Sequence, residues 1–533
     1  MSDGMTSRFW WQVIFTIFVF FRLAVVHAAD TTSVYVHYRS PNLVYIDVKA
    51  PAGTEVIKFS PVNGVTRDAI WKVTSGGMLD GDTLNLQGGS SAVLVMDVAR
   101  RPQVQDRHYA PFFNASNDGA IVLNSLFTTL SKTNVAYEKL ASTSCSSLDI
   151  RPNWAVSADG SGYAVLGNLK CLKIRAGVIV YDPTASHELI KKIHSSADQI
   201  VSYYNTMLRT QKRINVLAYV TNDSGEYFHG DDLGDGLVVG FSKSLSLDTW
   251  NTYSEFGLTQ FIAHEIFHQW NAEVSYRENS GVLLNEGGAE DAAYFYSASH
   301  GLPGTPALAE FILGRSNQCI LEVGINMTIR GILGSGNLNR VPYDCGAVYT
   351  LARMPSNGAL ISTEYFDAWR AVLRLANTSK SLVSVNEFGL GADTDELLST
   401  YNVAGAIAQR FELNNLHFSV TKDASSDENH SLFLDVAKFL MNMDCNGNVG
   451  FWDGPNSLTI DPQVKTCKAL SHLTSISKIA GYGMNDNAVH LVADMNHLCE
   501  RGEQVRITGN DGKEANLPCR AEIHLFEGFL KSE

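Results

Sequence analysis

In Phe261-Ile262-Ala263-His264-Glu265-Ile266-Phe267-His268-Gln269-Trp270-Asn271 two histidines stand four residues apart, with a glutamate directly after the first. On a helix four residues advance about 400°, so His264 and His268 share one face, one turn apart. Two neutral imidazoles so placed reach one Zn2+ at about 2.0–2.1 Å. Glu265 can face the zinc-bound water and act as its general base. A catalytic zinc needs a third protein ligand and an open fourth position. Leu283-Leu284-Asn285-Glu286-Gly287-Gly288-Ala289-Glu290 supplies Glu286 after seventeen intervening residues, room for a turn and a return helix. Glu290 lies one turn further on the same face, where it can accept the free ring N–H of a liganding histidine. The chemistry these residues imply is metal-assisted hydrolysis with one zinc per chain.

Two helices must cross to bring these groups together, and the apolar period provides them. From Leu258 to about Leu413 the chain reads as mainly helical. Ahead of it, Leu189, Ile190, Ile193, Ala197, Ile200, Val201 and Tyr204 predict a helix over Ser186–Met207. Strands are expected at Asn215–Val220 and Leu237–Ser242, separated by a Gly/Asp-rich loop from Ser224 to Gly236. Residues 30 to about 175 alternate as short strands with turn residues between them, as in Ser33–Tyr38, Leu43–Val48 and Ala92–Val98, which suggests a β-sandwich. From about Asn414 the chain returns to strand-like runs and Gly/Asn/Asp turns.

The chain has 533 residues, 45% of them hydrophobic and 18% charged, with a formal net charge of −14. That excludes a mostly disordered or coiled-coil chain, and the length calls for about three domains. So acidic a surface repels phosphate and speaks against nucleic acid as a partner. Arg8, the apolar run Val13–Phe21 and the small residues Val26, Ala28 and Ala29 match a secretory signal peptide ending at Ala28. An uncleaved N-terminal anchor is the rival reading, and no later segment is apolar enough to span a membrane. The mature protein is therefore expected to be secreted or periplasmic. Export makes disulfides reasonable for the eight cysteines, within the groups Cys145/Cys171, Cys319/Cys345 and Cys445/Cys467/Cys499/Cys519. A four-cysteine zinc site in the last group is the alternative, although it contains no Cys-x-x-Cys.

At the zinc residues the sequence resembles the gluzincin metallopeptidases, with the glycyl aminopeptidase and the aminopeptidase N/leukotriene hydrolase families as the nearest branches. His264 to Asn271 looks most like the glycyl aminopeptidase form. Leu284-Asn285-Glu286-Gly287 followed by Ala289 resembles the Leu-Asn-Glu-Gly-x-Ala motif of the aminopeptidase N family. Val341-Pro342-Tyr343-Asp344-Cys345-Gly346 resembles the segment carrying these families' catalytic tyrosine. That resemblance assigns Tyr343 to the oxyanion of the tetrahedral intermediate, a task a phenol O–H suits. It also implies a thermolysin-like, mainly helical zinc domain.

The sequence departs from the family pattern in three places. The His268-to-Glu286 gap is one residue shorter than the usual aminopeptidase N spacing. Gly236-Leu237-Val238-Val239-Gly240 occupies the place of the substrate-binding strand, with Val238 where the family glutamate grips a free amino terminus. An apolar residue cannot pair with an ammonium group, so Asp231, Asp232 or Asp235 would have to compensate. The strand edge remains available to peptide backbone by β-augmentation. Cys345 stands where the family often has lysine, and a bond to Cys319 would fix the tyrosine loop. Further on, Ile476–Tyr482, Gly502–Ile507, Asp511–Lys513 and Leu517 weakly resemble the strand–helix–strand tail of a PDZ domain.

The expected architecture is multidomain α+β. It comprises a signal peptide (1–28), a β-sandwich (29–175), a gluzincin catalytic domain (176–413) and a β-rich, PDZ-like C-terminal domain (414–533). The expected function is an exported zinc metallopeptidase acting on peptides or proteins, aminopeptidase-like with altered recognition of the amino terminus. The alternatives are an endopeptidase of the same clan and a non-catalytic, zinc-stabilised peptide-binding protein.

Overall fold

A computed structural model describes residues 32–40, 43–59, 66–97, 112–116, 120–124, 128, 133–137, 145, 148, 155–156, 162–183, 185–221, 228–232, 236–242, 252–324, 327–335, 338, 340–354, 361–379, 382–389, 395–412, 416–423, 426–445, 451–453, 456–460, 467–519, 525 and 528–532. The expected signal peptide and Asp235 lie outside them. The chain divides into two units, one of residues 1–172 with 180–184 and one of 173–179 with 185–533.

In the first unit strict alternation produces a sheet. Strands β1 (Thr32–Ser40), β2 (Leu43–Lys49) and β3 (Ser91–Asp97) pair antiparallel side by side. The register puts Val36 opposite Ile46 and Ile46 opposite Leu94, so every second residue joins one buried apolar row. Trp71–Ser75 and Thr133–Tyr137 complete five strands. A four-stranded sheet contains β4 (Ala120–Asn124) and β5 (Gly162–Gly167), whose Leu123 and Leu166 join the same core. Cys145 and Cys171 are bonded in this unit.

The second unit is built on helices. Helix α1 (His187–Leu208) starts where Ser186 caps it, its hydroxyl accepting from the Leu189 amide. Strands β6 (Ile214–Thr221), β7 (Phe228–Asp232) and β8 (Gly236–Ser242) follow. β8 runs parallel to β6 on one side and antiparallel to β7 on the other. This corrects two expectations. The Gly/Asp-rich stretch contains a strand, because Phe228–Asp232 gains a full ladder of partners that its composition does not announce. Gly236–Gly240 is an interior strand with both edges paired, so it offers no free edge for β-augmentation; among the described residues β7 is the outer strand.

Helices α2 (Thr252–Asn271), α3 (Gly281–Ser299), α4 (Leu308–Val323), α5 (Val341–Ala352) and α6 (Ile361–Ser379) form the rest of the core. α3 is buried almost all round from Gly287 to Ser297, the pattern of a central helix. It meets α5 backbone to backbone: a Cβ on Gly287 would lie 1.9 Å from the Gly346 carbonyl carbon, and one on Gly346 would lie 2.6 Å from the Leu283 oxygen. Two glycines facing one another let these helices approach closer than any side chain allows.

Beyond residue 413 the structure is more helical than its turn residues suggest. α7 (Ser426–Cys445) buries Phe433, Val436, Ala437, Leu440 and Met441 at helical spacing, and α8 (Ala488–Glu500) stands between short strands of one sheet. The expectation of a β-rich segment is corrected here, since the helical period of α7 outweighs the Asn/Gly turns that follow it. The segment is fastened to α4: Asn317 exchanges two hydrogen bonds with the Leu530 backbone (2.7 and 3.2 Å), and Gln318 donates to Asp435 (3.2 Å). Leu321 joins the C-terminal apolar core. Cys445–Cys467, Cys499–Cys519 and Cys319–Cys345 are disulfides. The paired C-terminal cysteines rule out a four-cysteine zinc site. Four disulfides suit an oxidising compartment. Among the described residues no helix is long and apolar enough to cross a membrane.

Candidate metal centre

α2 is oriented by its apolar sides. Ile262, Ala263, Ile266, Phe267 and Trp270 are buried, Tyr204 of α1 donates to the Ala263 carbonyl (3.1 Å), and the Trp270 ring N–H donates to Thr210 (2.9 Å). The remaining face carries His264 and His268, both buried. α3, returning across it, brings Glu286.

The three donor atoms converge. His264 Nε2 and His268 Nε2 are 3.1 Å apart, and Glu286 Oε2 lies 3.3 and 3.4 Å from them. Bonds of about 2.0–2.1 Å in a tetrahedron set ligand atoms about 3.3 Å apart. The triangle therefore has the edges of one face of a zinc tetrahedron. The second ring nitrogens support this. Asn271 donates its amide to the Asn285 carbonyl (2.6 Å), which turns its oxygen to His268 Nδ1 (3.0 Å). That oxygen accepts a hydrogen bond from Nδ1–H, which keeps the proton there and leaves the Nε2 lone pair pointing inward. His264 Nδ1 is buried and 3.4 Å from Glu290 Oε1, close but not aligned as a hydrogen bond. Two lone pairs and a carboxylate facing one another call for a cation. With none, a proton takes the place: burial alone would lower His268, but the Glu286 hydrogen bond and the Glu286 and Glu265 charges push it up to about 10. Glu286 is driven far down, its own burial being outweighed by the two histidines.

Glu265 is half-buried, and its charge is felt at both His268 and Tyr343. Tyr343 lies in the first turn of α5, its ring nearly parallel to that of His264 with centroids 5.7 Å apart. Burial first, then the Glu286 and Glu265 carboxylates, raise its pKa, so the phenol keeps its proton. The histidines, Glu286, Glu265 and Tyr343 are thus gathered at one place. Val238 stands in register opposite Asp231 of β7.

Three polar groups here have no role in the sequence reading. Asn271 and Asp344 sit inside the segments that attract notice, with nothing to mark what they touch. Arg315 comes from α4: one guanidinium nitrogen pairs with Glu290 and another with Asp344 (2.5 Å). Its helical spacing alone gives no hint of this. Among the described residues a second cluster, Asp444 with Cys445 and Cys467, is accounted for otherwise. The cysteines are bonded to each other, and Asp444 accepts the Ala469 and Leu470 amides (3.0 and 2.8 Å).

Neither a family model nor a curated protein matches the chain. Among solved structures it is similar to the aminopeptidase N family protein from Idiomarina loihiensis, at 10% identity and a TM-score of 0.49, over 94% of this chain and 98% of that one.

Proposed function

We propose that this chain is an exported zinc-dependent peptidase. The observation that carries the reading is the triangle of His264, His268 and Glu286 at tetrahedral edge lengths, with a glutamate and a protonated tyrosine beside it. When bound there, zinc supplies a Lewis acid for the scissile carbonyl and a water acidic enough to lose its proton near neutral pH. Glu265 accepts that proton and passes it to the leaving amine. Tyr343 donates its O–H to the oxyanion of the tetrahedral intermediate. Asn271 holds the His268 ring in the tautomer that leaves its Nε2 free, and the Glu290 carboxylate faces His264 Nδ1 at 3.4 Å.

Recognition of the peptide falls to β7, the outermost strand of this sheet among the described residues, which ends in Asp231 and Asp232. One of these carboxylates takes the substrate ammonium in place of Val238. The test uses purified protein, zinc, and a peptide mixture supplied with free and with acetylated amino termini. Cleavage should stop on chelation, return with zinc, and favour free termini at least tenfold. Equal cleavage of both sets rejects amino-terminal recognition. Bound zinc with no products rejects the peptidase and favours a zinc-stabilised binding protein.

Metal loading should depend on pH with a definite sign. The metal-free His268 is raised to about 10, above the ordinary 6.5. Its protonated form therefore stabilises the metal-free fold fully below about 6.5, and that contribution is lost as pH rises through about 10. Zinc must displace this proton, so apparent affinity should rise about tenfold per pH unit between pH 7 and 9. Calorimetric titration at pH 7.5 in two buffers of different ionisation enthalpy should show about one proton released per zinc. No buffer dependence would contradict the assignment.

A further inference from the structure

Arg315 belongs to α4, which contributes no zinc donor, yet it reaches both halves of the site. One end of its guanidinium pairs with Glu290, whose other oxygen is 3.4 Å from His264 Nδ1. The other end pairs with Asp344 at 2.5 Å, and Asp344 follows Tyr343 directly in α5. Asp344 also accepts from Arg340 (3.3 Å), whose guanidinium stands over the Tyr343 ring, 4.8 Å from its centroid. Asp344 is fully buried, and the Glu290 and Arg315 side chains are only 11% and 17% exposed. In so dry a setting these pairs are strong, and neither carboxylate tolerates loss of its partner. A covalent tie lies beside them: Cys319, one turn on from Arg315 in α4, is bonded to Cys345, the neighbour of Asp344. α4 and α5 are thereby held at a fixed separation next to the guanidinium.

We infer that Arg315 is a positioning residue: it couples the metal ligand His264, through Glu290, to the Tyr343 turn, through Asp344. The inference rests on the zinc-peptidase reading and deepens it. Only a planar fork spans two carboxylates on different helices; an ammonium keeps the charge but serves one of them. With the fork gone, the Glu290 carboxylate loses the cation that fixes it opposite His264 Nδ1, and Asp344 beside Tyr343 keeps the ion pair to Arg340 but not the shorter one. Metal affinity and turnover should therefore fall together, although Arg315 touches neither metal nor substrate.

The test is Arg315→Lys in the full chain, measured by zinc affinity against a competing chelator, by kcat and KM at saturating zinc, and by the thermal midpoint. Zinc should bind ten- to a hundredfold more weakly, and kcat at full occupancy should fall about tenfold with KM within twofold. A lowered midpoint with wild-type zinc affinity and wild-type kcat per bound zinc would overturn the inference, since that is what a purely structural residue gives. If Arg315→Lys does not fold, Arg315→Gln with Asp344→Asn removes one charge of each sign, and the same losses are expected. Wild-type zinc affinity and kcat in that double variant overturn the inference equally. The two readings fail differently. Wild-type protein that binds no zinc overturns the peptidase reading and this inference with it. Wild-type protein that binds zinc and hydrolyses peptide while the Arg315 variants match it overturns this inference alone.

Discussion

Glu265→Gln should reduce peptide hydrolysis by at least about a thousandfold while zinc binds within a few-fold of wild type. The substitution keeps size and shape but replaces a carboxylate by an amide, which cannot take a proton from the attacking water. Glu265 is not one of the three convergent donors, so the triangle of His264, His268 and Glu286 persists in the variant. Its charge also helps to raise His268 in the metal-free protein, so zinc should compete with the His268 proton slightly more easily in the variant. Metal content by elemental analysis and turnover on a peptide mixture are measured on one preparation. Undiminished turnover would remove Glu265 from the mechanism, and loss of zinc would mean that it acts on the metal site instead.

Gly287→Ala should destabilise the protein by about 3 kcal/mol or more. The new methyl would sit 1.9 Å from the Gly346 carbonyl carbon and 2.3 Å from the Ala347 amide nitrogen, where carbon contacts need about 3.5–4.0 Å. Those atoms are backbone inside α5, so no side chain can swing aside and the two helices must part. Glu286 adjoins the substituted residue, and Tyr343 lies one turn before Gly346, so their separation should grow and zinc affinity should fall with stability. Gly314 provides the control. It lies in α4, where an added methyl would meet nothing within 4 Å, and Gly314→Ala should be neutral or stabilising by up to about 1 kcal/mol. Denaturant midpoints of the two variants decide the matter: an unchanged midpoint for Gly287→Ala would mean that the α3–α5 contact is looser than described.

How much of the fold and the site is legible in the chain depends on how local the determining interactions are. The four-residue spacing of His264 and His268 is a property of one helix, and the apolar positions that bury the other sides of α2 are written in the same eleven residues. The strands of the first unit are equally local, since alternation in Ser33–Tyr38 and Leu43–Val48 fixes which side chains turn inward. The pairing of Cys145 with Cys171 and of Cys319 with Cys345 follows neighbours in sequence. β7 is not legible, because Phe228–Asp232 carries Gly and two Asp and becomes a strand only by pairing along β8. α7 is easily missed because the Asn/Gly turns after it are more conspicuous than the spacing of Phe433, Val436 and Leu440 within it.

Resemblance to a known family, and nothing else, picked out the tyrosine segment; by itself, the sequence determined a His/Glu set with the spacing for one metal ion and the neighbouring carboxylate suited to a proton transfer. The His/Glu set and its carboxylate are matters of residue type and helical period, which need no partner. Only the tertiary structure decided that Glu286 closes the triangle at 3.3 and 3.4 Å, that Gly287 meets Gly346 so that Tyr343 stands beside His264, and that Arg315 bridges Glu290 to Asp344. Each of these joins residues of different helices, at distances set by how the helices pack. Packing is a sum over the whole core, and no short stretch of chain contains it.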